Sequence, residues 1–110
     1  MIAVKDSDFS SQVMKGFSMV DFHSKACAPC RAQGMVIDKM EKKLCEMGIK
    51  VFKADVDECR NAATDLSVSA LPTVHLFKDG KSIKSFCGLK TQPQVMEFLS
   101  DVIAVEAYGG

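Results

Sequence analysis

The chain has 110 residues, is 47% hydrophobic, and carries 14 basic against 14 acidic side chains for a formal net charge of zero. That length and apolar content suit one globular domain over residues 1–110 with a single core, and they exclude a fibrous or disordered chain. Charge so balanced and so evenly spread gives no electrostatic reason to expect nucleic acid or a membrane surface as partner, which leaves proteins and small molecules.

Five cysteines are an odd number, so they cannot all pair within the chain, and a disulfide-stapled secreted framework is not expected. The first residues, Met1-Ile-Ala-Val-Lys-Asp-Ser-Asp, turn acidic before a signal-peptide apolar region forms, and no apolar run approaches membrane-spanning length. The expectation is a reducing, cytoplasmic setting.

Ile2 to Val4 is short, apolar and suited to a strand. Asp6 or Ser7 is placed to cap a helix over Asp8–Lys15, with Phe9, Val13 and Met14 facing inward and Gly16 ending it. Phe17–His23 reads as a strand buried on both faces, interrupted by one carboxylate, Asp21, which calls for an explanation. After a short polar break come Cys27-Ala-Pro-Cys30 and then a helical segment from Cys30 to about Met47. Its apolar positions are Met35, Val36, Ile37, Met40, Leu44 and Met47, with Arg31, Gln33 and the lysines on the other face and Gly48 as the stop. Lys50–Val56 alternates as a strand, and an acidic turn leads to a short helix over Cys59–Leu66. Thr73–Phe77 and Ser82–Phe86 form a hairpin about Lys78-Asp-Gly-Lys81. A terminal helix opens at Thr91 or Gln92 with Pro93 and runs to about Ala104, on a core stripe of Val95, Phe98, Leu99, Val102 and Ile103; Tyr108-Gly-Gly is a frayed tail. The order predicts an α/β architecture with helices on the faces of a sheet.

Strand, loop, CxxC and helix form a redox layout. A cysteine at a helix N-terminus meets unpaired backbone N–H groups and the positive end of the helix dipole, both of which favour a thiolate. Cys27 is therefore the expected nucleophile, and Cys30, one turn on, can close a disulfide with it. Pro29 fits the first helical turn because its φ is preset and its missing N–H would have had no partner there. The alternative for this pair is half of a zinc site, which would want a second paired set of ligands. Cys45, with apolar neighbours, is expected to be a packed side chain, and His23 and His75 sit singly on strand-like runs.

Four landmarks occur in order: Val20-Asp21-Phe22, Cys27-Ala-Pro-Cys30, Lys53 with Asp57, and Leu71-Pro72-Thr73 followed by Phe77-Lys-Asp-Gly80 and Gly88. Together they resemble the thioredoxin family over nearly the whole chain. The resemblance implies a thioredoxin fold, a central mixed five-stranded sheet flanked by four helices. It implies a protein-disulfide reductase in which Cys27 forms a mixed disulfide with a target and Cys30 resolves it. Asp21 matches the buried carboxylate that takes or relays the Cys30 proton, a role that desolvation would favour by raising its pKa, against the alternative of a purely structural polar residue. Lys53 matches the lysine accompanying that carboxylate, although a surface lysine would look the same. Pro72 matches a cis-proline facing the cysteines, and Ala26, Ala28, Pro29, Val56, Leu71, Cys87 and Gly88 fall at positions bordering the substrate groove. Cys59 falls where some animal relatives carry a cysteine, and is read as a regulatory thiol. No bound cofactor or metal is implied; reducing equivalents would come from NADPH through a flavoprotein thioredoxin reductase. Disulfide-containing target proteins and that reductase are the implied partners of a monomer.

The chain departs from the family pattern in three places. It has no tryptophan, so the indole usually preceding the first cysteine is Ala26, and the usual glycine between the cysteines is Ala28. The proline that usually kinks the long helix is Met35, so a straighter helix is expected. An altered groove motivates a competing reading, a binding or scaffold module whose CxxC acts as a redox-sensitive latch. An oxidase or isomerase is disfavoured by the retained Pro29 and by the absence of an export signal.

Overall fold

The computed structural model describes residues 1–107, with side chains described through residue 102. The elements are β1 (Ile2–Val4), α1 (Phe9–Val13), β2 (Phe17–His23), α2 (Ala28–Glu46), β3 (Ile49–Asp55), α3 (Arg60–Asp65), β4 (Thr73–Lys78), β5 (Lys81–Cys87) and α4 (Gln92–Ala107). The strands make one five-stranded sheet in the order β1-β3-β2-β4-β5. β3 runs parallel to both β1 and β2, whereas β4 runs antiparallel to β2 and β5, so the sheet is mixed as expected.

β2 lies at the centre and is covered on both faces, which is why it reads as a continuous apolar run. Successive side chains on a strand point to opposite faces. Val20 and Phe22 accordingly pack with Phe9 and Val13 of α1 and Ala62 and Ala63 of α3. Met19 enters the other layer with Ile37, Met40 and Leu44 of α2 and Val95 and Leu99 of α4. By the same parity Asp21 is committed to the α2 side.

Several local expectations need correction. α1 is shorter than 8–15, and its N-cap is Asp8 rather than Asp6 or Ser7. The Asp6 carboxylate instead accepts from the backbone N–H groups of Asn61 (3.0 Å) and Ala62 (3.2 Å), donors in the first turn of α3 that have no intrahelical partner. Met14 is exposed, as is Met35, because each falls on the solvent side of its helix. Gln33, expected on the polar face, is fully buried: its amide donates to the Lys90 carbonyl (3.2 Å) and accepts from the Lys90 N–H (2.8 Å), tying α2 to the entrance of α4. Cys45 is exposed rather than packed. Its neighbour Leu44 occupies the buried stripe, and one residue along a helix is a rotation of about 100°.

The connections follow their turn chemistry. Asp79 (φ 50°) and Gly80 (φ 85°) both adopt left-handed geometry in the β4–β5 turn, the arrangement whose twist matches a hairpin. At the start of α4, Gln94 accepts from the Thr91 N–H (2.9 Å) and Thr91 Oγ1 accepts from the Gln94 N–H (3.4 Å), a reciprocal capping box. Val95 and Leu99 are buried and Phe98 and Val102 are partly buried on that helix. Ile103 lies outside the residues whose side chains are described, and Tyr108-Gly-Gly outside the described residues altogether.

Candidate active site

β2 ends at His23, and four residues later Cys27 forms the N-cap of α2. Cys27 and Cys30 are joined in a disulfide, with Cα atoms 5.2 Å apart. The Cys30 backbone N–H donates to Cys27 Sγ (3.2 Å), so one of the helix's free N–H groups points at the sulfur that caps it. Pro29 lies in the first turn, where it removes no helical hydrogen bond. The nineteen-residue helix runs unbroken to Glu46. Cys27 is half-buried and flanked by exposed Ala26, Ala28 and Pro29, whereas Cys30 is 4% exposed. That asymmetry leaves Cys27 as the sulfur an incoming disulfide can reach.

Behind Cys30 lies a cavity of about 340 Å³ between β2, β3 and α2, lined among others by Asp21, His23, Asp38 and Lys53. Asp21 and Lys53 are register partners on adjacent parallel strands, which places them side by side on one face. Asp21 is 2% exposed, and its Oδ1 has no hydrogen-bond partner among the described residues. Burial, with a smaller contribution from the charge of Asp38, raises the Asp21 pKa to about 7. Lys53 is exposed and makes no ion pair with Asp21 within 4 Å. It borders the carboxylate's cavity without neutralising it by contact.

The Leu71–Pro72 peptide bond, just before β4, is cis. The Pro72 carbonyl accepts from the Gly88 N–H (2.9 Å), and Thr73 pairs with Cys87, so β4 and β5 bring Leu71, Pro72, Cys87 and Gly88 together. Gly88 has φ 93°, a conformation that favours glycine. Val56 donates its N–H to the His23 carbonyl (2.9 Å), which fixes the loop after β3 against the end of β2. Cys87 is exposed and Leu71 half-buried.

Cys59 is placed differently from its expected role as a regulatory thiol. It is fully buried, its thiol donates to the Val4 carbonyl (3.1 Å), and burial pushes its pKa up to about 11. A thiol that is neither ionised nor accessible does not sense oxidants in the folded state. Among the described residues no group of three or more His, Cys, Asp or Glu side chains is arranged to hold a metal ion.

Sequence reasoning passed over His23 and Asp38, yet both carried a spacing signal. His23 is two residues after Asp21 on one strand, hence on the same face. Asp38 follows Cys30 and Gly34 at intervals of four on one helix, hence on the same stripe.

The family model described as Thioredoxin matches residues 1–101. A thioredoxin of Chlamydia trachomatis is 30% identical over 97 residues, covering 88% of this chain and 93% of that one. A probable thioredoxin-2 of Caenorhabditis elegans is 35% identical over 101 residues, covering 88% of this chain and 68% of its own. A solved structure from work on the thiol resolving mechanism of yeast mitochondrial 1-Cys peroxiredoxin via glutathione/thioredoxin systems superposes with a TM-score of 0.80. It covers 92% of this chain and 94% of its own at 22% identity, a likeness of fold alone.

Proposed function

We infer the catalytic cycle from one premise: the chain belongs to the thioredoxin family and is a thiol-disulfide oxidoreductase that reduces protein disulfides. Cys27, as thiolate, attacks one sulfur of a target disulfide; the target S–S bond breaks, and its other sulfur leaves as a thiolate. The Cys30 thiol then gives up its proton, and its sulfur attacks Cys27 Sγ. The mixed disulfide breaks, the second target sulfur departs with the bonding pair, and the target has gained two electrons as the Cys27–Cys30 disulfide forms.

The observation that carries this reading is the disulfide at the head of α2, with one sulfur reachable and the other enclosed. In this account Asp21 accepts the Cys30 proton, since a carboxylate with a pKa about 7 can both take and release one at neutral pH. Lys53 stands beside that carboxylate on the neighbouring strand and lines the same cavity. Ala26, Ala28, Pro29, Val56, Leu71, Pro72, Cys87 and Gly88 border the groove that receives an extended target segment. The chemistry needs no bound cofactor. NADPH, through a flavoprotein reductase, recharges the dithiol of a monomeric cytoplasmic protein, and no described helix is long and apolar enough to cross a membrane.

Reduction of insulin disulfides by dithiothreitol tests the assignment. Wild-type protein accelerates insulin precipitation, and Cys27→Ser abolishes the acceleration. Undiminished activity in Cys27→Ser removes Cys27 as the nucleophile.

A further inference from the structure

Asp21 is nearly sealed from solvent, so a proton it receives from Cys30 has to leave through the cavity. Few of the cavity's ionisable groups can pass it on. Arg31 and Lys53 offer donors and no acceptor to an incoming proton. Asp38, itself exposed, is paired with the Met1 ammonium (3.4 Å). His23 stands two residues beyond Asp21 on the same face of β2, lines the same cavity and, at the strand's last position, is half-buried where Asp21 is enclosed.

We propose that His23 is the proton exit of this site, carrying the Cys30 proton from Asp21 to solvent while Cys30 displaces the target from Cys27. The inference rests on the reductase reading above and adds a residue to it. His23 acts through Asp21 rather than on sulfur, so it is a relay and positioning residue. No direct hydrogen bond joins the two side chains, and the cavity's volume, with Asp21, His23, Ser24 and Asp38 among its lining, leaves room and polar partners for bridging water. The balance is simple: the Cys30 S–H bond breaks, the carboxylate takes the proton, the neutral imidazole accepts it through water, and the imidazolium releases it outward. When the disulfide is reduced again, a proton enters by the same route.

The surroundings set the imidazole to work as an acceptor. Burial lowers its pKa from the ordinary 6.5, Asp55 opposite it on β3 pulls the other way, and Lys53 adds to the lowering. Asp21, Asp38, Arg31 and the Met1 ammonium are the remaining charged groups around the same cavity. With the net direction downward, His23 is mostly neutral at pH 7 and holds a lone pair for the proton.

The test is a rapid-quench single turnover of the reduced full-length protein with a disulfide peptide, with the Cys27 mixed disulfide followed by intact mass from pH 5.5 to 9. In His23→Gln the mixed disulfide forms at the wild-type rate but decays roughly fivefold to tenfold more slowly at pH 7.5, a fraction of what direct proton transfer is worth because water partly substitutes. The difference between the two proteins narrows toward acid pH, as the wild-type imidazole gains its proton. Added imidazole restores the decay in His23→Ala, a response that a structural defect would not give. Wild-type decay rate and pH profile in both folded variants overturn the proposal, as does a slow variant that imidazole fails to rescue. A wild type that forms no mixed disulfide on Cys27 overturns the reductase reading itself, and with it this inference.

Discussion

At the scale of single residues, the site is marked by one side chain held in unfavourable surroundings. Asp21 is buried with an oxygen lacking a partner, an arrangement a structure keeps only where something offsets the cost. Its pKa of about 7 lies above the ordinary carboxylate value, so between about pH 4 and 7 the folded protein retains a proton that the unfolded chain has lost. Stability therefore falls as pH rises through that window and levels off above it, by on the order of 4 kcal/mol in total. Asp21→Asn should flatten the slope and be more stable than wild type at pH 8 in urea titrations; an unchanged slope would show that Asp21 is not the titrating group. The free thiols make a second prediction. In the oxidised native protein, a thiol reagent should modify Cys45 and Cys87 and reach Cys59 only on denaturation, since Cys59 alone of the three is buried. Rapid native labelling of Cys59, read by peptide mapping, would contradict its placement. Much at this scale was hidden in the sequence. The placement of His23 and Asp38 around Asp21 depends on a cavity that no single residue announces, and Gln33 is buried because a distant backbone, at Lys90, supplies both its partners.

At the scale of elements, the periodicities were readable because burial follows them. β2 is a two-faced apolar run because it is the middle strand, and α2 and α4 carry their core residues at helical spacing because one face of each meets the sheet. Boundaries were less legible. α2 starts at Ala28, two residues before the expected Cys30, since the cap at Cys27 and the preset φ of Pro29 fix its beginning rather than any core contact. Non-local caps were invisible for a related reason, Asp6 serving α3 more than fifty residues away. Inside α2, Gly34 has helical geometry, and a Cβ there would meet only the Met1 methyl at 3.9 Å. Gly34→Ala should stabilise the protein by about 0.5–1 kcal/mol, because it removes unfolded-chain entropy without a clash. A rise in Tm of a few degrees checks this, and a fall would mean that the helix needs the glycine's freedom.

At the scale of the whole molecule, the sheet order explains why the chemistry gathers at one end. β2 and β3 run parallel and finish together, delivering Asp21, His23 and Lys53 to the edge where α2 begins, while antiparallel β4 starts at that same edge directly after Pro72. A CxxC at the head of α2, a carboxylate beneath it and a cis-proline on a neighbouring strand are thus consequences of one topology. The landmarks in the sequence conveyed that topology because each belongs to a strand end or a helix start at this edge. What they did not convey is the interior of the cavity, which is set by packing between α2 and the sheet. The account stands or falls on which sulfur bonds to the target. Its most direct test is a Cys30→Ser variant mixed with a disulfide-containing protein and examined by intact mass and peptide mapping without reductant. A stable adduct through Cys27 is the predicted result; an adduct through Cys45 or Cys87, or none at all, would contradict it.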